Sequence, residues 1–265
     1  MPERPTSPAR PAVPAGVASP TRTGAALCAA EALALAGKRA CLSHETAALA
    51  LGVELLDPAA SRITVPRNRS RLTIPGWVVV RSDVPAAELE AVDGHPVTGA
   101  LRTILDLARV LTTQDAVVAA DSALRQELIE PRDIATTLER VRGRGAAALR
   151  AVGTLADPLS GSVLETLVRL LLVTAGLAPV TQYVVRDGAQ FVARVDFAWP
   201  AVRLAVEADG FAYHSDRAAY RRDRERLNQL ERLGWRVLRF TWEDVHQRPE
   251  HVIALVQECL RHAAA

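Results

Sequence analysis

Between Arg194 and His214 the sequence alternates apolar and polar residues on either side of Pro200-Ala201, and this alternation commits the segment to a β-hairpin with one apolar face. Val195, Phe197, Leu204, Val206 and Ala208 fall on that face. A slip of one residue would turn Asp196, Glu207 and Asp209 into the core instead, so the register is strongly specified. With a two-residue turn at Pro200-Ala201, Asp196 lies opposite Ala205 and diagonal to Glu207, about 7 Å away. Three acids at the end of an apolar hairpin are either the incidental acids of a solvated strand face or the ligands of one divalent ion. The second reading is favoured, because acids converging there need a reason.

The elements around the hairpin define its setting. A helix is expected from Val163 to Ala175, stopped at Gly176, then a strand Thr181 to Val185 that turns through Asp187-Gly188 into the strand carrying Asp196. After the strand with Glu207 and Asp209 come a charged helix, roughly Asp216 to Leu233, the strand W-R-V-L-R-F-T and a last helix from Pro249 to about His262. A strand that returns after a helical crossover belongs in a mixed sheet covered on both faces. The fold class is therefore α/β, with two domains.

The N-terminal region is also mixed α/β but richer in helices. Residues 1–24, rich in Pro, Ala, Ser and Thr, form an unstructured leader, residues 25–156 one domain, and residues 157–265 the other, divided at the Asp157-Pro158 and Ser160-Gly161 breaks. Within residues 25–156, helices are expected at Ala25 to Ala36, from Ser43 to about Leu51, over G-A-L-R-T-I-L-D-L-A-R-V-L and D-A-V-V-A-A-D-S-A-L-R, from Pro131 to Val141, and from Ala146 to Leu155. Strands are expected at Arg62 to Pro66 and Trp77 to Arg81. The loop between them carries Arg67, Arg69 and Arg71, which either touch phosphate or simply keep a turn polar.

Composition excludes several classes. With 49% hydrophobic residues the chain can bury cores without staples, and its three cysteines, Cys28, Cys41 and Cys259, show neither zinc spacing nor a disulfide framework. Cys28 and Cys41 read as small core residues. No apolar run approaches the roughly 20 residues a bilayer requires, and a reducing cytoplasm fits best. A net charge of +2 gives no bulk attraction to nucleic acid, so any such contact needs a local basic surface. Lys38 is the only lysine, far in sequence from the acids.

Hard ions such as Mg²⁺, with Mn²⁺ as a substitute, take carboxylate oxygens, and they stabilise charge and activate water in phosphodiester cleavage. His214, at the end of G-F-A-Y-H, is either a loop histidine or a general base or phosphate contact beside the acids. Glu165 closes the S-V-L-E capping box begun at Ser162, a structural task. On the charged helix Arg217, Arg221 and Arg224 share a face along which a phosphate backbone could lie, although many of its charges form ordinary i,i+4 pairs.

From Ser162 to about Val256 the sequence resembles bacterial proteins related to very-short-patch-repair endonucleases, within the PD-(D/E)XK nuclease superfamily. The likeness rests on R-V-D-F-A-W-P, V-E-A-D-G-F-A-Y-H and R-D-R-E-R-L-N-Q-L-E-R-L-G-W-R-V-L-R-F-T-W-E-D-V. The resemblance implies a restriction-endonuclease-like fold, Mg²⁺ and a DNA substrate. It makes Asp196 and Glu207 metal ligands, Glu165 the acid of the first helix and His214 the histidine of the repair enzymes. Asp209 stands where the wider superfamily has lysine, a loss those enzymes share, and their zinc-binding cysteines and histidines are not evident here.

The N-terminal half resembles AbiEi-family antitoxins through C-L-S-H-E-T-A-A-L-A-L-G, I-T-V-P-R and G-H-P-V-T-G-A-L-R-T-I-L-D-L-A-R. Such proteins repress transcription through a winged helix, but no recognition helix is evident ahead of Ala25. The expected function is a metal-dependent DNA endonuclease using Asp196, Glu207, Asp209, His214 and Glu165, with Asp209 completing the metal shell. The N-terminal region would position DNA, a partner protein or a second copy. The rival is a DNA-binding antitoxin-type regulator that keeps the nuclease fold without cleavage.

Overall fold

The computed structural model describes residues 28–143, 145–210 and 217–264. The N-terminal half runs α1 (Ala29–Ala36), β1 (Cys41–Leu42), α2 (His44–Ala50), β2 (Ser61–Val65), β3 (Trp77–Arg81), β4 (Leu89–Val92), β5 (His95–Thr98), α3 (Ala100–Leu107), α4 (Thr113–Arg125), α5 (Pro131–Arg140) and α6 (Ala146–Leu155). Its five strands form one mixed sheet in the order β3-β2-β1-β5-β4. The expected helices and both expected strands are present, but β1, β4 and β5 are too short to show a period in sequence. β2 and β3 are parallel, so the arginine-rich segment between them is an exposed crossover and not a hairpin turn. Cys41 is buried as expected; Cys28 is exposed, because it is the N-cap of α1 and not part of its packed face.

The second half runs α7 (Val163–Thr174), β6 (Val180–Asp187), β7 (Gln190–Trp199), β8 (Leu204–Asp209), α8 (Arg217–Arg232), β9 (Arg236–Thr241), α9 (Trp242–Gln247) and α10 (Pro249–Ala264). The sheet order is β6-β7-β8-β9, antiparallel until β9 returns parallel to β8 through the α8 crossover. Apolar residues cover both faces. On one, Leu164, Val168 and Leu172 of α7 and Val252 and Val256 of α10 bury Phe197, Leu204, Val206 and Phe240. On the other, Leu230 of α8 closes over Val185, Ala193, Val195, Ala198 and Ala205. α9 was hidden in the sequence between β9 and the last helix; Thr241 Oγ1 accepts from the Asp244 N–H in a reciprocal cap that starts it.

Two details of the hairpin differ from expectation. Pro200–Val202 forms a 3₁₀ turn followed by Arg203 in a left-handed conformation (φ 50°), so the connection is longer than two residues. Ala198 consequently pairs with Ala205, and the next step of that register sets Asp196 level with Glu207 rather than diagonal to it. A shift of two residues keeps Phe197, Leu204, Val206 and Ala208 on one face as expected, but Val195 leaves it. Val195 joins the α8 side while Phe197, Leu204, Val206 and Ala208 pack on the α7 side. The strand changes sides at the level of Asp196, where Gln182 of β6 has a left-handed backbone.

The two halves are tied through a buried acid. Asp121 of α4 is fully buried and accepts from Arg169 Nη2 of α7 at 2.7 Å, from the Thr166 hydroxyl at 2.8 Å and from the Asp157 N–H at 2.7 Å. Arg169 also donates to the Leu155 carbonyl at 2.5 Å. Burial raises the Asp121 carboxyl above its usual range against the pull of Arg169. Removing one partner of such a pair leaves the other desolvated and uncompensated. Arg169→Met is therefore expected to lower unfolding free energy by about 3–5 kcal/mol in urea denaturation. The orphaned acid in the variant can be neutralised by protonation, so the loss should be larger at pH 8 than at pH 5.

Candidate active site

The acid chemistry gathers where the first turn of α7 meets β6, β7 and β8. Asp196 is half-buried on β7, and its Oδ2 accepts from the Ala208 N–H at 2.9 Å, so a side chain takes a backbone donor on the neighbouring strand. Its Oδ1 accepts from Gln182 Nε2 at 3.3 Å. The same amide nitrogen donates to Glu165 Oε2 at 2.8 Å, an oxygen that also accepts from the Gly161 N–H at 2.8 Å. Ser162 Oγ accepts from the Glu165 N–H at 3.1 Å, which is the expected cap, but the glutamate reaches back to Gly161 instead of to Ser162 and remains turned to the sheet. A Cβ on Gly161 would stand 2.7 Å from Glu165 Oε1, so that approach needs glycine.

Gln182 has φ 52° in the middle of β6. The β6–β7 pairs run Thr181↔Phe197 and then Tyr183↔Val195, with none between them. A left-handed conformation costs a residue with a Cβ about 1–2 kcal/mol. That cost persists only where surrounding contacts fix it.

Glu207 is buried on β8 and is held by arginines. Arg226 of α8 donates to both its oxygens, at 2.5 and 3.0 Å, and Arg239 Nε of β9 donates at 3.2 Å. Both arginines also bind Asp223, within 3.1 Å. Burial acts against the Asp223 carboxyl, but the hydrogen bonds of Arg226 and Arg239 hold it below the usual carboxylate range. Hydrogen bonding to Glu207 likewise holds the Arg226 guanidinium firmly charged. Asp196 is treated differently. Burial pushes its carboxyl up to about 6, opposed by the Ala208 N–H and reinforced by the negative charges of Glu165 and Glu207.

The structure thus brings Glu165, Asp196 and Glu207 into one electrostatic cluster but does not assemble the expected trio of Asp196, Glu207 and Asp209 as a ligand set. Glu207 is turned to its arginines, and Asp209 lies at the exposed end of β8. Among the described residues no group of three or more His, Cys, Asp or Glu side chains could hold a metal ion. His214 lies outside the described residues. The Arg217 side chain is not among those described, while Arg221 and Arg224 are exposed on α8. Sequence reasoning missed Gln182, Gly161 and Arg239, and grouped Arg226 with ordinary surface pairs. The register Glu207↔Arg239 could have found the last contact had the parallel pairing been known. A cavity of about 900 Å³ lies in the N-terminal half and is lined by His44, Thr64, Ser82, Arg102 and Asp106 among others. Its central guanidinium, Arg102, is already bound to Glu88 and Asp106 at 2.6 and 2.7 Å.

Comparison with known proteins divides the chain in the same way. Residues 165–260 match a restriction-endonuclease-like model, REase_MTES_1575, and residues 38–157 match the AbiEi antitoxin C-terminal domain. The chain is 32% identical over 226 residues to uncharacterized protein MT2308 and, equally, to uncharacterized protein Rv2248, both of Mycobacterium tuberculosis. The alignment covers 84% of this chain and 82% of each relative. No solved structure matches it significantly. Among the described residues no helix is long and apolar enough to cross a membrane.

The Asp196 environment has a measurable consequence. Its folded carboxyl titrates near 6, above the unfolded value of about 3.9. The stability it contributes is therefore complete below pH 4 and is lost as pH rises through 6. Asp196→Asn keeps the shape without the charge. It should match wild type at pH 4 and exceed it at pH 7.5 by about 1–2 kcal/mol, allowing for partial exposure to solvent, in paired urea melts.

Proposed function

The chain belongs to the family of these two Mycobacterium tuberculosis proteins, and from that premise we propose that it is a metal-dependent endonuclease that hydrolyses phosphodiester bonds in DNA. The observation that carries this reading is the half-buried Asp196, joined to Glu165 through one amide group and bonded by neutral donors, while neighbouring Glu207 takes two arginines. A desolvated acid beside two others is a charge pattern that a divalent cation relieves. Mg²⁺ needs only one or two carboxylates, since water and substrate phosphate oxygens complete its shell, so this donor set fits Mg²⁺ or Mn²⁺.

Glu165 and Asp196 would hold the ion, which when bound supplies Lewis acidity and a more acidic water. Glu207 contributes negative potential and fixes Arg226 and Arg239, whose guanidinium groups stand beside the site and suit phosphate oxygens. Their charge compensates for Asp209, which occupies the place of the superfamily lysine. Asp209, at the exposed end of β8, would complete or orient the shell of the ion. His214, carried over from the resemblance to the repair endonucleases, handles a proton or a phosphate contact. Arg221 and Arg224, with Arg217, track the DNA backbone, a contact that positions without reading sequence. The N-terminal half places DNA, a partner protein or a second copy against this face, in the cytoplasm.

A second reading, favoured by the AbiEi match over residues 38–157, is an antitoxin-type regulator that binds DNA without cutting it. Incubation with supercoiled plasmid separates the two. The nuclease reading expects nicking or linearisation with Mg²⁺ or Mn²⁺, none with chelator, and a loss on the order of 10²–10³-fold in Asp196→Ala and Glu165→Ala. Metal-independent DNA retention without cutting, unchanged by either variant, would establish the regulator. The salt slope of binding then counts the phosphates contacted.

A further inference from the structure

Among the described residues Gln182 is the one side chain that bonds both Glu165 and Asp196, and the backbone departs from regular geometry to put it there. In regular β structure it would continue the ladder between Thr181↔Phe197 and Tyr183↔Val195. Instead it adopts φ 52°, a conformation available to glycine at no cost and to glutamine only with strain. The product of that departure is geometric. The two hydrogens of one NH₂ group serve two carboxylates, Glu165 Oε2 at 2.8 Å and Asp196 Oδ1 at 3.3 Å.

The remaining bonds of these acids come from backbone donors on different elements, Gly161 before α7 and Ala208 on β8, so nothing else described links one acid to the other. The chemistry of the link is selective as well. An arginine or lysine here would neutralise the pair and compete with a cation, and a glutamate would add repulsion. Asparagine is one methylene too short for the same span. A neutral, two-donor group of this length holds two acids together while leaving their charge available.

We infer that Gln182 is a positioning residue of the metal site, a neutral spacer that sets the separation of the Glu165 and Asp196 carboxylates for a divalent ion. The inference rests on the metal-dependent reading above. Residues of this kind around ligating carboxylates typically change metal affinity by 10–100-fold when removed.

The test is titration of the full-length protein with Mn²⁺, without DNA, followed by electron paramagnetic resonance of the free ion, for wild type, Gln182→Gly and Gln182→Asn. Glycine removes the amide and accepts the left-handed backbone, and asparagine tolerates that backbone without the reach. Both variants should bind Mn²⁺ about 10–100-fold more weakly. The melting temperature of Gln182→Gly in chelator should equal or exceed that of wild type, and DNA cutting should recover as Mn²⁺ is raised by the same factor. Wild-type affinity in both variants would overturn the positioning role and leave the metal reading standing. Absence of Mn²⁺ binding by wild type would overturn both.

Discussion

A carboxylate taken out of water must be neutralised, paired or bonded, and the way this chain treats its buried acids governs its organisation. Asp121 is given Arg169 and becomes a structural tie. Glu207 is given Arg226 and Arg239 and becomes the centre of a charged network. Asp196, between Glu165 and Glu207 in the same electrostatic field, is given amide donors from Gln182 and Ala208. The chain has arginine in abundance, and two guanidinium groups reach the acid next door. The difference in partners therefore sets Asp196 apart as a group whose charge is held in reserve, a pattern typical of functional sites.

α7 joins this chemistry to the rest of the molecule. Its first turn carries Glu165, capped by Ser162 and aimed at Gln182, while Thr166 and Arg169 on the same helix grip Asp121 of α4. Successive residues of one rigid element thus face the site and the N-terminal half in turn. The tie to α4 and the Glu165 carboxylate therefore share one helix, packed by Leu164, Val168 and Leu172. The antitoxin-like half is in this sense part of the scaffold of the acidic site.

The long, periodic elements were legible in the sequence. α6 was readable to its ends, and α7, α8 and β6 to β9 nearly so, because apolar spacing, Ser162, Gly176 and Gly234 mark them. β1, β4 and β5 were not, since strands of two to four residues carry no period and owe their existence to neighbours in the sheet. In the site, Glu165 read as a helix cap and entered only through the resemblance, while Asp196 and Glu207 stood out as acids on an apolar hairpin. Their partners did not. Gln182 looks like any polar strand residue, and its importance lies in a backbone angle that propensity does not signal. Arg239 meets Glu207 only through a parallel register that depends on the whole α8 crossover. The expected trio failed for the same reason, because whether Glu207 faces a metal or a guanidinium depends on which residues of α8 and β9 stand opposite.

That pairing bears on the position taken by Asp209. A superfamily lysine at this place would put one mobile ammonium beside the scissile phosphate. Here two guanidinium groups come from other elements, fixed by Glu207 and Asp223. Arginine is permanently charged and presents a planar fork, so it can hold a phosphate oxygen in one orientation but cannot take up a proton. Relocating the charge from β8 to α8 and β9 therefore separates two tasks that a lysine can combine. Under the proposed nuclease reading, phosphate binding would fall to Arg226 and Arg239, and any proton acceptor would be a different group. Asp196 is a poor choice, since in that reading it holds the ion. In that reading the acceptor would come from solvent or from the sequence that follows β8, which contains His214.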